Sequence, residues 1–263
     1  MTWKSLIVSF NTAWEMLLDF PLPRFLQSKS REVEPVVEMP DIVTQIMFPV
    51  IGAVFGLLLY WFGLLLMLLP GKLAGGIIFT LVLALVSELK DSGRGLGALV
   101  AFFECKINGV SGESALATLE PDIKNASGAL SSLTLVLAIL LKLLCFYMMF
   151  QYGYIYWVFA VMVLEFTVQG YLASAPSAGS NRSLLEIAEP AKFYIWAVAA
   201  FFMCFIMFKA TVIGLIAFGA ALVFALLFKN ICERKIGGVN ASIISFAGYC
   251  CQLGILLFGL LVL

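Results

Sequence analysis

The chain has no histidine, little charge and no paired-cysteine motif, and each shortage narrows what it can be. With no histidine anywhere in the chain, Ser-His triads, histidine general bases and imidazole metal ligands are all excluded. Charged residues make up 12% of the 263 positions, whereas a soluble domain carries about 25%. With 62% hydrophobic residues and a mean hydropathy of +1.05, most of the surface must face lipid. Sixteen basic residues balance sixteen acidic ones, which removes the electrostatic case for a nucleic-acid partner. None of the six cysteines stands in a C-x-x-C pair. Cys145, Cys204, Cys250 and Cys251 fall in apolar runs, where a thiol acts as a small hydrophobe, while Cys105 and Cys232 fall in polar segments.

What is present is a series of long apolar runs. The spacing predicts an all-α, polytopic helix bundle forming a single integral membrane domain over 1–263. Spans of about 20 residues are expected near 43–69, 72–89, 129–150, 153–174, 190–209, 210–229 and 242–263. Ahead of them, Trp3, Leu6, Ile7, Phe10, Trp14, Leu17 and Leu18 recur at helical spacing opposite Lys4, Asn11, Thr12, Glu15 and Asp19. That pattern reads as an amphipathic helix within 1–26, either lying in the membrane interface or packed on the rest of the protein. Its short apolar run, broken by Ser9, Asn11 and Thr12, is not expected to be a cleavable signal. Phe20-Pro-Leu-Pro-Arg24 ends the helix, and residues 27–41 read as a solvated loop.

The stretch 95–103 is apolar but too short to cross, so it is expected to be re-entrant or interfacial and packed against protein. On that layout thirteen lysines and arginines fall on the N-terminal side, Lys72 and Lys209 on the other, and Lys142 inside a span. The positive-inside rule then makes the N-terminus cytoplasmic and 90–128 a cytoplasmic loop. Gly52 and Gly56, four apart, would let two helices approach closely. No internal repeat is visible, which counts against an inverted-repeat transporter.

Three segments in order carry a family resemblance: Phe20-Pro-Leu-Pro-Arg24, Phe48-Pro-Val-Ile-Gly52-Ala-Val-Phe-Gly56, and Ile236-Gly237-Gly238-Val239 before a last apolar helix. Together they resemble the cobalamin synthase family, the adenosylcobinamide-GDP ribazoletransferases. Lys124-Asn125-Ala126-Ser127 and the later Leu-Leu-Lys142 resemble that family's M-K-D-S-R-x-G and L-L-K elements. The resemblance implies a multi-pass protein of the bacterial inner membrane that joins α-ribazole or its 5′-phosphate to adenosylcobinamide-GDP and releases GMP. It also implies Mg²⁺ held by cytoplasmic aspartates, and membrane lipid, a corrinoid substrate or cobalamin-assembly proteins as partners. The chemistry suits the motif, because cleaving a pyrophosphate link needs a divalent ion, and Mg²⁺ takes hard carboxylate ligands.

Those aspartates are missing. Where the family carries its aspartate run, this chain has Ala101, Cys105 and Asn108, and Leu99 stands at the histidine. The C-terminal T-G-D becomes Asn240-Ala241-Ser242, and the glutamates after it become Tyr249 and Gln252. The family's P-Y-A-R-x-x-G is traceable as Ser174-Ala175-Pro176-Ser177-Ala178-Gly179, without its arginine. Lys124, Asn125, Gly237, Gly238 and Asn240 stand as the substrate-binding positions the resemblance implies. In another register Asp91 takes the place of the first aspartate. It and Glu104 are the remaining metal candidates, with Glu113, Glu120 and Asp122 in the same loop.

Lys142 and Glu165 fall inside spans, where each costs about 2.5–3.5 kcal/mol on insertion scales and usually finds a partner. They read as a mutual buried pair or a lysine snorkelling to the interface, against a proton or substrate path. Two functions therefore stand: a divergent ribazoletransferase, or a catalytically degenerate homologue serving as a membrane partner or binding protein.

Overall fold

A computed structural model of the chain describes residues 3–18, 41–117, 119, 129–177 and 184–262. The helices in chain order are α1 (Trp3–Leu17), α2 (Asp41–Met67), α3 (Lys72–Leu89), α4 (Arg94–Ile107), α5 (Gly112–Ala117), α6 (Ala129–Tyr152), α7 (Tyr156–Leu172), α8 (Tyr194–Ile231) and α9 (Ala241–Val262). Among the described residues the one extended pairing is a parallel bridge between Ser177 and Val239.

Among the described residues, five helical segments are long and apolar enough to cross a membrane: Ile42–Met67, Lys72–Leu89, Ser131–Tyr152, Thr211–Ile236 and Ala241–Val262. Tyr156–Leu172 and Ala191–Ile206 are shorter and equally apolar. Residues such as Leu58, Trp61, Leu81, Leu137, Phe201 and Val212 stand well exposed on the outer faces. An exposed apolar surface on this scale belongs in hydrocarbon rather than in water.

Helical backbone runs unbroken through the 38 residues of α8, yet α8 is not one rod. In a straight helix Trp196 and Phe218 would stand about 33 Å apart, whereas their rings lie 5.7 Å apart. Tyr171 touches Phe193 near one end, and the Lys229 ammonium lies over the same Tyr171 ring near the other. The helix must therefore double back near 207–210, as the two expected spans 190–209 and 210–229 require. Its second arm buries Ala217, Ala221 and Ala225 along one stripe, which lets the arms pack closely.

The seven apolar segments alternate between two ends of the bundle. One, the loop end, gathers 90–95, 173–177, 184–193 and 232–241. The other, the turn end, holds 68–71, 152–156 and the α8 reversal. The expected span 153–174 shortens to α7 because Gly153 takes a left-handed φ of +80° in the preceding turn.

α7 is the axis of the fold, buried throughout Trp157–Leu172. Its largest interface is with α2, where Gly52 and Gly56 make the approach possible. A Cβ on Gly52 would lie 2.7 Å from the Met162 carbonyl, and one on Gly56 would lie 2.9 Å from the Phe159 Cα. The paired glycines thus serve helix packing, as their spacing suggested.

α1 lies against α2, with Trp14 5.6 Å from Phe55 and with Ser9, Ala13 and Leu18 buried. Thr12 and Glu15 face outward. The short stretch expected at 95–103 forms α4, whose 14 residues span about 21 Å. It packs on α9 and α6 at the loop end instead of crossing.

Candidate functional site

The functional geography centres on the corner between α3 and α4. Ser92 (φ +52°) and Gly93 (φ +72°) take left-handed conformations, and the Gly93 N–H donates to the Glu88 carbonyl at 2.7 Å. These turns stop α3 inside the bundle, so Lys90 and Asp91 point into protein rather than solvent, with Glu88 partly exposed beside them. Lys90 is 3% exposed and ion-pairs with Glu165 of α7, which is 1% exposed. Lys142 of α6, also 1% exposed, donates to Glu88 Oε1 at 2.5 Å and to Ser87 Oγ at 2.9 Å.

The expected Lys142–Glu165 pair is therefore corrected. Both residues belong to one cluster, but each takes its partner from the end of α3. Lys90 reaches Glu165 because the early stop of α3 turns a residue that reads as a loop cation inward. Aromatic faces complete the enclosure, with the Lys142 ammonium 4.2 Å from the Tyr249 ring centroid and Lys90 5.3 Å from that of Phe166. Glu88 Oε2, Glu165 Oε2, the Tyr249 hydroxyl and both polar atoms of the Gln252 amide are buried without a hydrogen-bond partner among the described residues.

Asp91, one of the metal candidates, is spent on the backbone. Its Oδ2 accepts the Gly95 N–H at 3.0 Å, so it caps the start of α4 where orphan amides and the helix dipole favour an anion. Burial holds its carboxyl above the ordinary aspartate value, while the Lys90 ammonium and the Gly95 N–H pull the other way. The second candidate, Glu104, accepts from Ser131 Oγ at 2.6 Å near the far end of α4. The length of that helix keeps the two from sharing one ion.

Along α4, Ala101 and Cys105 are half-buried, and Asn108 is exposed as the C-cap. None supplies a carboxylate. Ser242 is fully buried in the first turn of α9.

Asn240 caps α9: its Oδ1 accepts the Ile243 N–H at 2.8 Å, and its Nδ2 donates to the Leu119 carbonyl at 2.8 Å. Gly237 (φ +80°) and Gly238 (φ +138°) form the turn after a π-helical segment at Cys232–Ile236. That turn lets the Val239 N–H reach the Pro176 carbonyl at 2.7 Å. The two segments of the resemblance around 176 and 236–240 are thus brought together by backbone pairing. Lys124, Asn125, Glu120 and Asp122 lie outside the described residues, as do the Glu113 side chain and the Phe20–Arg24 element.

Beside the α3–α4 corner is a cavity of ≈ 200 Å³ where α1, α2, α4, α7 and α9 meet, lined among others by Met16, Phe48, Arg94, Gln169, Leu184 and Ser245. It combines an apolar body with a guanidinium, an amide and a hydroxyl, the mixture that fixes a small polar-headed molecule. Sequence reasoning missed Arg94, Gln169 and Ser245 at this site, as it did Glu88 and Lys90 in the cluster. Gln169 carried a usable signal, being a polar residue inside an apolar run. A second cavity of ≈ 510 Å³, walled by Phe159, Phe201, Phe202 and Phe205 among others, is apolar and lies between α2, α7 and α8.

The residues present do not fit a magnesium ion. Among the described residues no three His, Cys, Asp or Glu side chains gather as a metal site. Glu88 and Glu165 each hold an ammonium instead. Mg²⁺ demands near-octahedral oxygen ligands and keeps several waters, which a centre walled by two aromatic rings does not offer.

Fold and site together define a polytopic helical membrane protein with a buried polar centre at its loop end. No curated protein and no solved structure matches the chain. The family model described as cobalamin-5-phosphate synthase matches residues 9–262, nearly the whole length, and the chain belongs to that family.

Proposed function

We propose that this protein serves cobalamin biosynthesis at the bacterial inner membrane as a non-catalytic binding component, with its loop end facing the cytoplasm. The observation that carries the reading is the chemistry of α4 and α9. Ala101, Cys105, Asn108 and Ser242 stand where the resemblance calls for metal-holding aspartates. One positioned acid–base group contributes about 10²–10⁴-fold in rate, and stripping a whole constellation removes the metal as well. The orientation rests on charge. Lys90, Arg94, Lys106, Lys192, Lys229, Arg234 and Lys235 gather at the loop end, against Lys72 and the Lys209 position at the turn end.

The cavity beside Arg94, Gln169 and Ser245 is the binding place this reading favours, open to one end of a corrinoid or its nucleotide base. The test is incubation of the purified protein in nanodiscs with adenosylcobinamide-GDP, α-ribazole and Mg²⁺. The expected result is a shift in the corrinoid absorption spectrum on binding, weakened by Arg94→Ala, with no cobalamin product. Product formation would instead favour a second reading, a transferase with a rebuilt site, which draws its support from the near full-length family match. In that case Glu104, Glu113 and Asp122 become the acids to replace.

A further inference from the structure

We propose that Lys90 and Lys142 together fill the place of a divalent cation, making the carboxylate centre of this chain a self-contained, metal-independent one. Glu88, Asp91 and Glu165 come from α3, the α3–α4 corner and α7. Glu88 holds the Lys142 ammonium and Glu165 that of Lys90, and Asp91 lies within electrostatic reach of both acids. Acids buried in one low-dielectric region cannot stay ionised there without compensating positive charge. The two ammoniums supply +2 to Glu88 and Glu165, the same charge as one Mg²⁺, while Asp91 is held by the Gly95 N–H.

The choice between the two is written in the walls. The Lys142 ammonium sits 4.2 Å from the Tyr249 ring centroid while also donating to Glu88 and Ser87. Lys90 combines its carboxylate with the Phe166 face. Ring faces attract desolvated ammonium, whereas Mg²⁺ gives up its water reluctantly. Both lysines are at most 3% exposed, so no hydrated ion displaces them from solvent. Tyr249 also closes the site sterically, because its Cβ lies 3.1 Å from where a Cβ on Gly95 would stand. α9 and α4 are therefore in contact beside Asp91.

This inference concerns the charge balance of the centre and does not require the absence of transfer. A protein that turned over with a metal held elsewhere would sink the proposed function and leave this intact. A protein that bound metal here without turnover would do the reverse.

The experiment is thermal unfolding of the full chain in nanodiscs, after chelation and after adding back Mg²⁺ or Mn²⁺, with bound Mn²⁺ counted by electron paramagnetic resonance. The wild type is expected to melt at the same temperature in all three conditions and to bind no Mn²⁺. Lys90→Met with Lys142→Met is expected to melt lower, to recover on adding either ion, and to bind one Mn²⁺. Should that variant not fold, Lys142→Met alone is compared with Lys142→Met plus Glu88→Gln, and the second change is expected to restore stability by removing the stranded carboxylate. A wild-type melt that moves with chelator, or wild-type Mn²⁺ binding abolished by Glu165→Gln, overturns the proposal. So does a folded double-lysine variant indifferent to both ions, or a Glu88→Gln change that restores nothing.

Discussion

The α3–α4 corner and the outer run of α4 are neighbours along the chain, yet they treat charge in opposite ways. At the corner, Lys90 and Asp91 turn inward and, with the partly exposed Glu88, meet Lys142 and Glu165 among aromatic rings. One helix further on, Ala101, Cys105 and Asn108 line a half-buried to exposed surface without a carboxylate among them. Ionisable groups persist where they tie helices together and are absent where the family resemblance would have them hold a metal. The difference separates two jobs a carboxylate can do in a membrane: satisfy a buried cation, or wait at the surface for an ion and a substrate.

The sharpest way to break the comparison is to strand a charge at the corner. Glu165→Ala leaves Lys90 buried without its partner, and such a loss costs about 3–5 kcal/mol. Reversible unfolding in mixed micelles reads it, and Lys90→Met together with Glu165→Leu is expected to recover most of the loss. A smaller effect belongs to Asn240, read from sequence as a substrate contact and found as a helix cap. Asn240→Ala is expected to cost about 1 kcal/mol, the usual worth of such a cap. If corrinoid binding fell while stability held, the binding role would be restored.

Asp91 adds a pH-dependent effect. Folding raises its proton affinity, so its contribution to stability is complete below the ordinary carboxylate value of about 4. That contribution is lost as pH rises through the higher folded-state value. Relative to Asp91→Asn, the wild type should therefore lose melting temperature across that window, and parallel melting curves would contradict the assignment. The smallest effect lies on α4. Cys105→Ala is expected to change stability by less than about 0.5 kcal/mol and to leave corrinoid binding untouched. A larger loss would mean that this face does work the geometry does not reveal.

Much of the architecture was legible because it follows from apolar run length. The reversal of α8 near 207–210, the failure of 95–103 to cross, and the Gly52–Gly56 contact with α7 all follow from composition and spacing. The pairing inside the bundle did not. Lys142 and Glu165 were visible as costly intramembrane charges, but their partners depended on where α3 stops, and that is set by Ser92 and Gly93 entering left-handed turns. Periodicity carries no signal for that event, so Lys90 reads as a loop cation until its burial is seen. The Arg94–Gln169–Ser245 cavity was equally hidden, because its lining comes from helices far apart in sequence. The family positions, by contrast, could be read by motif alone, and the structure adds what stands there now: a cap at Asn240, a turn at the retained Gly237–Gly238, and a half-buried side chain packed on the core at Ala101.

The central claim is that the acids of this chain hold its helices together and do not grip a metal for catalysis. It is tested most directly by a single-turnover assay of GMP release from adenosylcobinamide-GDP at excess protein, over a full titration of Mg²⁺. The account predicts no GMP above the protein-free background at any magnesium level. A burst of GMP that grows with Mg²⁺ and vanishes on chelation would contradict it.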